Sequence, residues 1–149
     1  MTHSPLKHMK GKKKLLVGIG NVLKRDDGAG VYITNHINTN RCITALTVEL
    51  SIENYIGKIN KLNHDLLILI DCMDFRRSPG YWNILPVEKI AGHMSNTHNI
   101  TLDKVSELFH SPAFILGIQP QNIQFGEGLT PLVKKTADHI IGLINLDDS

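Results

Sequence analysis

The sequence predicts an α/β fold in three layers, with a twisted, mostly parallel, mixed central sheet of about five strands and helices on both faces. Three observations predict it. Short apolar runs alternate along the chain with segments that have helical spacing. Most of these runs are apolar throughout, which is typical of strands covered on both faces. The link across Pro79-Gly80 is too short for a crossover, so one strand pair is expected to be antiparallel.

The strands are predicted from apolar runs bounded by polar or turn-forming residues. The strongest run, Asp65–Asp71, is apolar between its two carboxylates and ends on one of them. Since it is apolar at successive positions, it is expected in the middle of the sheet. The other strands are predicted at 15–19, 42–50, 81–85 and 113–118.

The helices are predicted from apolar spacing and from residues that favour helix ends. The last one, Leu129–Leu146, has an apolar stripe and carries Pro131 in its first turn. Thr101 suits the N-cap of a helix that ends at Phe109, and Asp103 suits the first turn of that helix. Two more helices are predicted at 28–36 and 52–62.

The charge of the chain is unevenly distributed. The 149 residues include sixteen Lys+Arg and fourteen Asp+Glu, a formal net charge of +2. Five lysines between Lys7 and Lys14 precede the first acidic residue, Asp26, so the remainder carries eleven cations against fourteen acids, or −3. We therefore expect a flexible basic leader at 1–14 and a single domain at 15–149. Because this domain is mildly acidic, the charge disfavours nucleic acid as a partner.

The composition favours a cytoplasmic protein without membrane insertion. No apolar run approaches the ~20 residues that span a bilayer, and the N-terminus lacks the apolar core of a secretory signal. Cys42 and Cys72 form no CxxC motif and lie in apolar surroundings. They are expected to be buried free thiols in a reducing compartment, with a disulfide or a ligand role as the less favoured alternative.

The loop after the first predicted strand carries the first candidate site residues. The run from Gly18 to Leu23 begins like a dinucleotide fingerprint, but Leu23 stands where the third glycine is needed. The adjacent carboxylates of Asp26 and Asp27 would repel a pyrophosphate, so nucleotide binding is disfavoured. This acidic pair is equally consistent with helix capping and with a ligand site at the end of a buried strand.

Further candidates follow other predicted elements. Asp71 ends the strongest strand and is expected at the same sheet edge as the acidic pair. Asp74 is a weaker candidate, and it is equally consistent with a position in solvent. Among the histidines, His98 lies in a polar loop ahead of a helix, with His93 as a weaker competitor. Two carboxylates and one imidazole from three loops predict a three-ligand site with open positions for a borderline divalent ion such as Ni²⁺ or Zn²⁺.

The motifs in their order resemble a known family. The segment Gly18–Gly30 resembles the opening motif of the hydrogenase maturation proteases, the endopeptidases that process the large subunit of nickel–iron hydrogenases. Ile70–Asp74 is similar to the second motif of that family and Thr97–Asn99 to the third. Phe114–Pro120 resembles the branch that serves hydrogenases of the formate-hydrogenlyase (hydrogenase 3) type. The likeness covers nearly all of the predicted domain.

The resemblance implies an activity and a set of site residues. Such enzymes remove a C-terminal extension from the large-subunit precursor after nickel insertion. By motif position, Asp27, Asp71 and His98 are the expected catalytic and metal-contacting residues. The Ni²⁺ is expected to come with the substrate, so the isolated site is expected to be empty or to hold another divalent ion. Whether these residues also activate water is open, so both metallo- and aspartic-type labels fit, and a monomer is expected.

Two points limit what the resemblance implies. The family often has Glu where Asp27 stands, and Asp is the form found in the branch named above. After the second strand the family tends to carry an acidic, glycine-rich turn, whereas Val48–Asn54 contains no glycine, which leaves the partner subunit open. A non-catalytic metal-binding maturation chaperone that uses the same site is the alternative function.

Overall fold

One mixed sheet organises the part of the chain that the computed structural model describes, residues 9, 11–49, 51–90 and 106–146. Its five strands stand in the order β2-β1-β3-β5-β4. Their bounds are β1 Lys14–Ile19, β2 Ile43–Val48, β3 Leu66–Cys72, β4 Trp82–Pro86 and β5 Ala113–Ile118. The predicted α/β class, the strand number and the mixed, mostly parallel sheet are therefore confirmed.

Among the described residues, three α-helices and several single turns of 3-10 helix accompany the strands. The α-helices are α1 Ala29–His36, α2 Ile56–Lys61 and α3 Pro131–Leu146. The turns of 3-10 helix span Arg25–Gly28, Ile52–Tyr55, Val87–Lys89 and Ser106–Leu108. Of the helix predicted at 101–109, residues 101–105 lie outside the described residues, and Ser106–Leu108 forms a 3-10 turn instead of an α-helix.

The helices cover both faces of the sheet, which makes the predicted three layers. On one face α1 and α3 pack on the sheet in a cluster that includes Ile33, Ile68 and Ile140. On the other face the cluster includes Ile59 of α2 and Leu69 of β3. All seven residues of β3 are buried because this strand has a helical layer on each side and a parallel partner at each edge.

The short link at Pro79-Gly80 joins β3 and β4, but these two strands are not neighbours in the sheet and are not the antiparallel pair. β4 runs antiparallel to β5, and β5 lies between β3 and β4 as a parallel neighbour of β3. The reason lies in the two strands' composition. β5 is apolar and buried along most of its length, which suits an inner strand, whereas Pro86 cannot donate a hydrogen bond and suits the edge strand β4.

Two of the described residues in the predicted leader, Met9 and Lys14, are buried. Met9 is buried against the α1–α3 side of the sheet. β1 begins at Lys14, one residue before the expected domain start. Residues 1–8 and 10 lie outside the described residues, so the division into a leader and one domain stays a prediction.

Two glycines allow α1 to lie very close to the sheet. A Cβ on Gly30 would overlap the carbonyl oxygen of Ile70, and a Cβ on Gly18 would overlap the carbonyl oxygen of Gly30. Because both positions lack a side chain, the start of α1 packs directly on β1 and β3. This packing holds the loop between β1 and α1 above the carboxyl ends of those two strands. Across the described segments, no helix is both long and apolar enough to cross a membrane.

Candidate metal and catalytic site

Asp27 and Asp71 come together at the carboxyl ends of two neighbouring parallel strands. Asp71 lies near the end of β3, and Asp27 lies in the 3-10 turn that follows β1. Asp27 is 5% exposed, and Asp71 is fully buried. Within the described ranges, one ligand atom each from Asp27, Asp71 and Cys72 lies within 4.8 Å of the other two. We call these three residues the acid–thiol cluster.

Both carboxylate oxygens of Asp27 are held by hydrogen bonds. The backbone N–H of Asn21 donates to Oδ2 at 3.0 Å. The thiol of Cys72 donates to Oδ1 at 3.3 Å. Gly20, with φ +145°, lets the chain pass directly against the Asp27 backbone, where a Cβ would overlap the Asp27 carbonyl oxygen. The orientation of Asp27 is therefore fixed by its own loop on one side and by β3 on the other.

Asp71 is positioned by its strand. The backbone N–H of Cys72 donates to Oδ1 of Asp71 at 2.8 Å, which turns this carboxylate toward the end of the strand. In the sheet, Asp71 pairs with Gly117 of β5, and the residue before it, Ile70, pairs with both β1 and β5. A carboxylate at a position this rigid loses little conformational entropy when it binds a ligand.

Asp26, the neighbour of Asp27, has a structural role and neither caps α1 nor joins the cluster. Its carboxylate is fully buried and accepts the backbone N–H groups of Gln121, Asn122 and Thr130 at 2.8–3.0 Å. The hydroxyl of Thr130 donates a fourth bond at 2.8 Å. Asp26 thus holds the segment 121–130 beside the site. Of the acidic pair, Asp27 therefore belongs to the candidate ligand site, whereas Asp26 has a structural role.

Asp74 lies outside the acid–thiol cluster, with an exposed side chain. Its Oδ1 accepts the backbone N–H of Arg76 at 2.9 Å and the side-chain amide of Gln119 at 3.2 Å. The amide oxygen of Gln119 in turn accepts the backbone N–H of Phe75 at 2.6 Å. Asp74 and Gln119 therefore shape the loop after β3, and the position in solvent that the sequence left open is the observed one.

His98 and His93 lie outside the described residues. The imidazole ligand therefore stays a prediction from the sequence.

Cys72 is the cluster residue that the sequence did not single out. Both cysteines are free, and Cys72 is buried as predicted, whereas Cys42 is only half-buried because it precedes the edge strand β2. Alternation along β3 turns the side chains of Asp71 and Cys72 to opposite faces. They share a site because Asp27 lies over the end of the strand and reaches both. The sequence feature that could have indicated this role is that Cys72 directly follows Asp71, the carboxylate at the end of the predicted strand.

The composition of the cluster fits a divalent cation. Two carboxylates and a thiol that are almost fully buried form a group that becomes strongly anionic when deprotonated, and buried charges of this kind are stabilised by coordinating a metal. Carboxylates accept many divalent ions, whereas a thiolate favours borderline and soft ones. A parallel sheet with such a group at its carboxyl edge is the usual arrangement of a ligand-binding α/β protein.

Comparison with known proteins identifies the family. The family model described as HycI, hydrogenase maturation protease, matches residues 50–145, more than half of the chain. A Methanocaldococcus jannaschii protein assigned as a hydrogenase maturation protease is 27% identical over 150 residues, covering 89% of this chain and 86% of its own. This α/β protein therefore belongs to the hydrogenase maturation protease family. It is a maturation endopeptidase, as the resemblance of its motifs implied.

Solved structures agree with this assignment. The crystal structure of the [NiFe] hydrogenase maturation protease HycI from Thermococcus kodakarensis KOD1 has a TM-score of 0.82 and 25% identity, and covers 97% of each chain. The solution structure of the endopeptidase HycI from Escherichia coli has a TM-score of 0.78 and 24% identity over 89% of each chain, which shows the shared fold. A crystal structure of a hydrogenase 3 maturation protease has the same fold, with a TM-score of 0.75.

Proposed function

We propose that this endopeptidase removes the C-terminal extension of a nickel–iron hydrogenase large-subunit precursor after nickel has been inserted. In this proposal Asp27, Asp71 and His98 contact the nickel that the precursor carries. The convergence of Asp27 and Asp71, buried at one edge of the sheet, is the observation that carries it. The enzyme is proposed to act in the cytoplasm, a reducing compartment that its free cysteines favour, and to act as a monomer.

The hydrogen bonds of the two carboxylates support a positioning role. Asp27 is held by Asn21 and Cys72, and Asp71 by the backbone of Cys72. Ligands fixed in this way would hold substrate-borne nickel, and the peptide attached to its subunit, in one orientation. Correct orientation of reacting groups supplies a large part of many catalytic accelerations. The group that activates water is left open, since a carboxylate of the same pair is also suited to act as general base.

The rim of the site supports a protein substrate. Leu23 and Phe125 expose 56% and 84% of their surface, and Val22 and Ile123 are also exposed. Val22 and Leu23 lie in the loop after β1, and Ile123 and Phe125 lie in the segment 121–130. A hydrogen bond joins the two, because the Gly126 N–H donates to the Leu23 carbonyl at 3.0 Å. We call these four exposed side chains the apolar rim. An exposed apolar group beside a buried polar site is typical of a surface that another protein covers.

Cleavage of the precursor tests the proposal. A nickel-loaded precursor is expected to lose its C-terminal peptide, seen as a drop in mass, and a nickel-free precursor is expected to stay intact. Asp71→Asn and His98→Ala are expected to abolish the cleavage. Glu88→Gln is the control, because Glu88 is an exposed carboxylate that follows β4 at the opposite edge of the sheet from the cluster.

Two results would contradict the proposal. Normal cleavage by both Asp71→Asn and His98→Ala, with folds unchanged by circular dichroism, would remove the assigned residues. A nickel-loaded precursor that binds the wild-type chain tightly and stays intact would favour the chaperone hypothesis.

A further inference from the structure

We propose that Cys72 binds the ion at the acid–thiol cluster in addition to the two carboxylates, and that it gives the site selectivity for borderline ions such as Ni²⁺ over hard ions such as Mg²⁺. The inference deepens the proposed function and rests on it for the role of the ion. The family resemblance of the motifs implied no role for Cys72.

The position of the thiol supports this role. Ile70 and Met73, on either side, belong to the two apolar clusters of the core. The Cys72 sulfur instead contacts the Asp27 carboxylate, to which it donates at 3.3 Å. It is 2% exposed, and its ligand atom lies within 4.8 Å of those of both carboxylates.

The observed separation suits two ligands of one ion. Borderline ions bind thiolate sulfur at about 2.3 Å and carboxylate oxygen at about 2.1 Å. With these bond lengths, an Sγ–Oδ1 distance of 3.3 Å corresponds to an angle of about 100° at the ion. This angle lies between the ideal octahedral and tetrahedral values, so Cys72 and Asp27 need little movement to bind together.

The thiol acts in two ways, depending on the ion. Without the ion, the S–H group donates to Asp27 and holds its carboxylate toward Asp71. When a divalent ion binds, the S–H bond breaks, the sulfur keeps the electron pair and donates it to the metal, and the proton leaves to solvent. No oxidation occurs. Since thiolate is a soft ligand, this bond strengthens binding of Ni²⁺ or Co²⁺ and does little for Mg²⁺.

Titration of the full chain with Co²⁺, a spectroscopic substitute for Ni²⁺, tests the inference without precursor. The wild-type chain is expected to develop a thiolate-to-cobalt charge-transfer band in the near ultraviolet. Cys72→Ser is expected to lose this band and to bind Co²⁺ at least about 10-fold more weakly, since even outer-shell changes cost that much. Its affinity for Mg²⁺ is expected to be unchanged.

Cys42→Ser is the matched control, because Cys42 is the other free cysteine and precedes the edge strand β2. It is expected to keep both the band and the affinity. If Cys72→Ser fails to fold by circular dichroism, Cys72→Ala removes the thiol without adding a hydroxyl and is measured in its place.

The outcomes separate this inference from the proposed function. A wild-type chain with no band, or a Cys72 variant that keeps it, overturns the ligand role and leaves precursor cleavage unaffected. A band that depends on Cys72, found together with an intact nickel-loaded precursor, supports the ligand role and overturns the proposed cleavage.

Discussion

Thr130 donates both its backbone N–H and its side-chain hydroxyl to the carboxylate of Asp26, each at 2.8 Å, across 104 residues of sequence. These bonds join the 3-10 turn before α1 to the residue that directly precedes α3. Because Asp26 adjoins Asp27, this contact also fixes the backbone that carries the candidate site.

Asp26→Asn is expected to destabilise the fold by about 3 kcal/mol. The substitution removes a buried charge that accepts four hydrogen bonds and directs an NH₂ group toward N–H or O–H donors. The midpoint of urea unfolding measures the effect. Glu88→Gln, a control at an exposed carboxylate in the 3-10 turn Val87–Lys89, should remain within about 0.5 kcal/mol of wild type. Equal midpoints for the two variants would contradict the structural role of Asp26.

Gly30→Ala and Gly142→Ala are expected to change stability in opposite directions. At Gly30 a Cβ would overlap the Ile70 carbonyl oxygen, so α1 must move away from β3. At Gly142, inside α3, nothing lies within 4 Å of an added Cβ, and alanine favours helix there by up to about 1 kcal/mol. Thermal unfolding measures both. A Gly30→Ala chain as stable as wild type would show that the close packing of α1 is unimportant.

Tyr32→Phe is expected to raise the pKa of Asp138. The Tyr32 hydroxyl donates to Asp138 Oδ1 at 2.7 Å, and this bond is the main reason that the pKa of Asp138 is below its usual value, with a smaller contribution from Lys134. A carboxyl pKa lowered by folding stabilises the protein above the unfolded pKa, about 3.9, and that contribution is lost as pH falls through the folded pKa.

The Tyr32–Asp138 hydrogen bond is expected to contribute a few tenths of a kcal/mol to the free energy of unfolding, since the Asp138 side chain is 48% exposed. Titration of the Asp138 carboxyl carbon by NMR, in wild type and Tyr32→Phe, measures the pKa directly. An unchanged midpoint would mean that the Tyr32 bond does not control it.

Phe125→Ser is expected to weaken precursor binding while leaving the fold stable. Phe125 is 84% exposed in the apolar rim, so its loss removes contact area from the proposed interface and little from the core. Leu146→Ser is the control, because Leu146 is 80% exposed at the opposite end of α3 from the site. Binding to nickel-loaded precursor is measured by calorimetry, with a loss of at least about tenfold expected for Phe125→Ser only. Similar losses in both variants would argue against the rim.

The sequence predicts the centre of the sheet well because β1 and β3 are buried on both faces. The run Leu66–Ile70 in β3 has no polar position to interrupt it, so the strand and its central place follow from composition. The convergence of Asp27 and Asp71 was also predictable, because neighbouring parallel strands end at the same edge. This is the part of the site that local sequence and sheet geometry determine together.

The remaining features depend on contacts between distant segments. Nothing near Asp26 in the sequence indicates that Gln121, Asn122 and Thr130 satisfy its carboxylate. Strand alternation turns Cys72 and Asp71 to opposite faces, and the position of the loop above the strand end brings Asp27 within reach of both. The place of β4 depends likewise on pairing with a strand that comes later in the chain.

The insertion of β5 between β3 and β4 has a consequence for synthesis on the ribosome. When β4 emerges, neither it nor the outer edge of β3 has a partner, because both must wait for residues 113–118. Until then the nascent chain presents open, largely apolar strand edges, which are templates for mispairing with other chains. Truncation before Ala113 should therefore yield an aggregating fragment, and Asp71 gains its β5 neighbour only after residues 113–118 have been made.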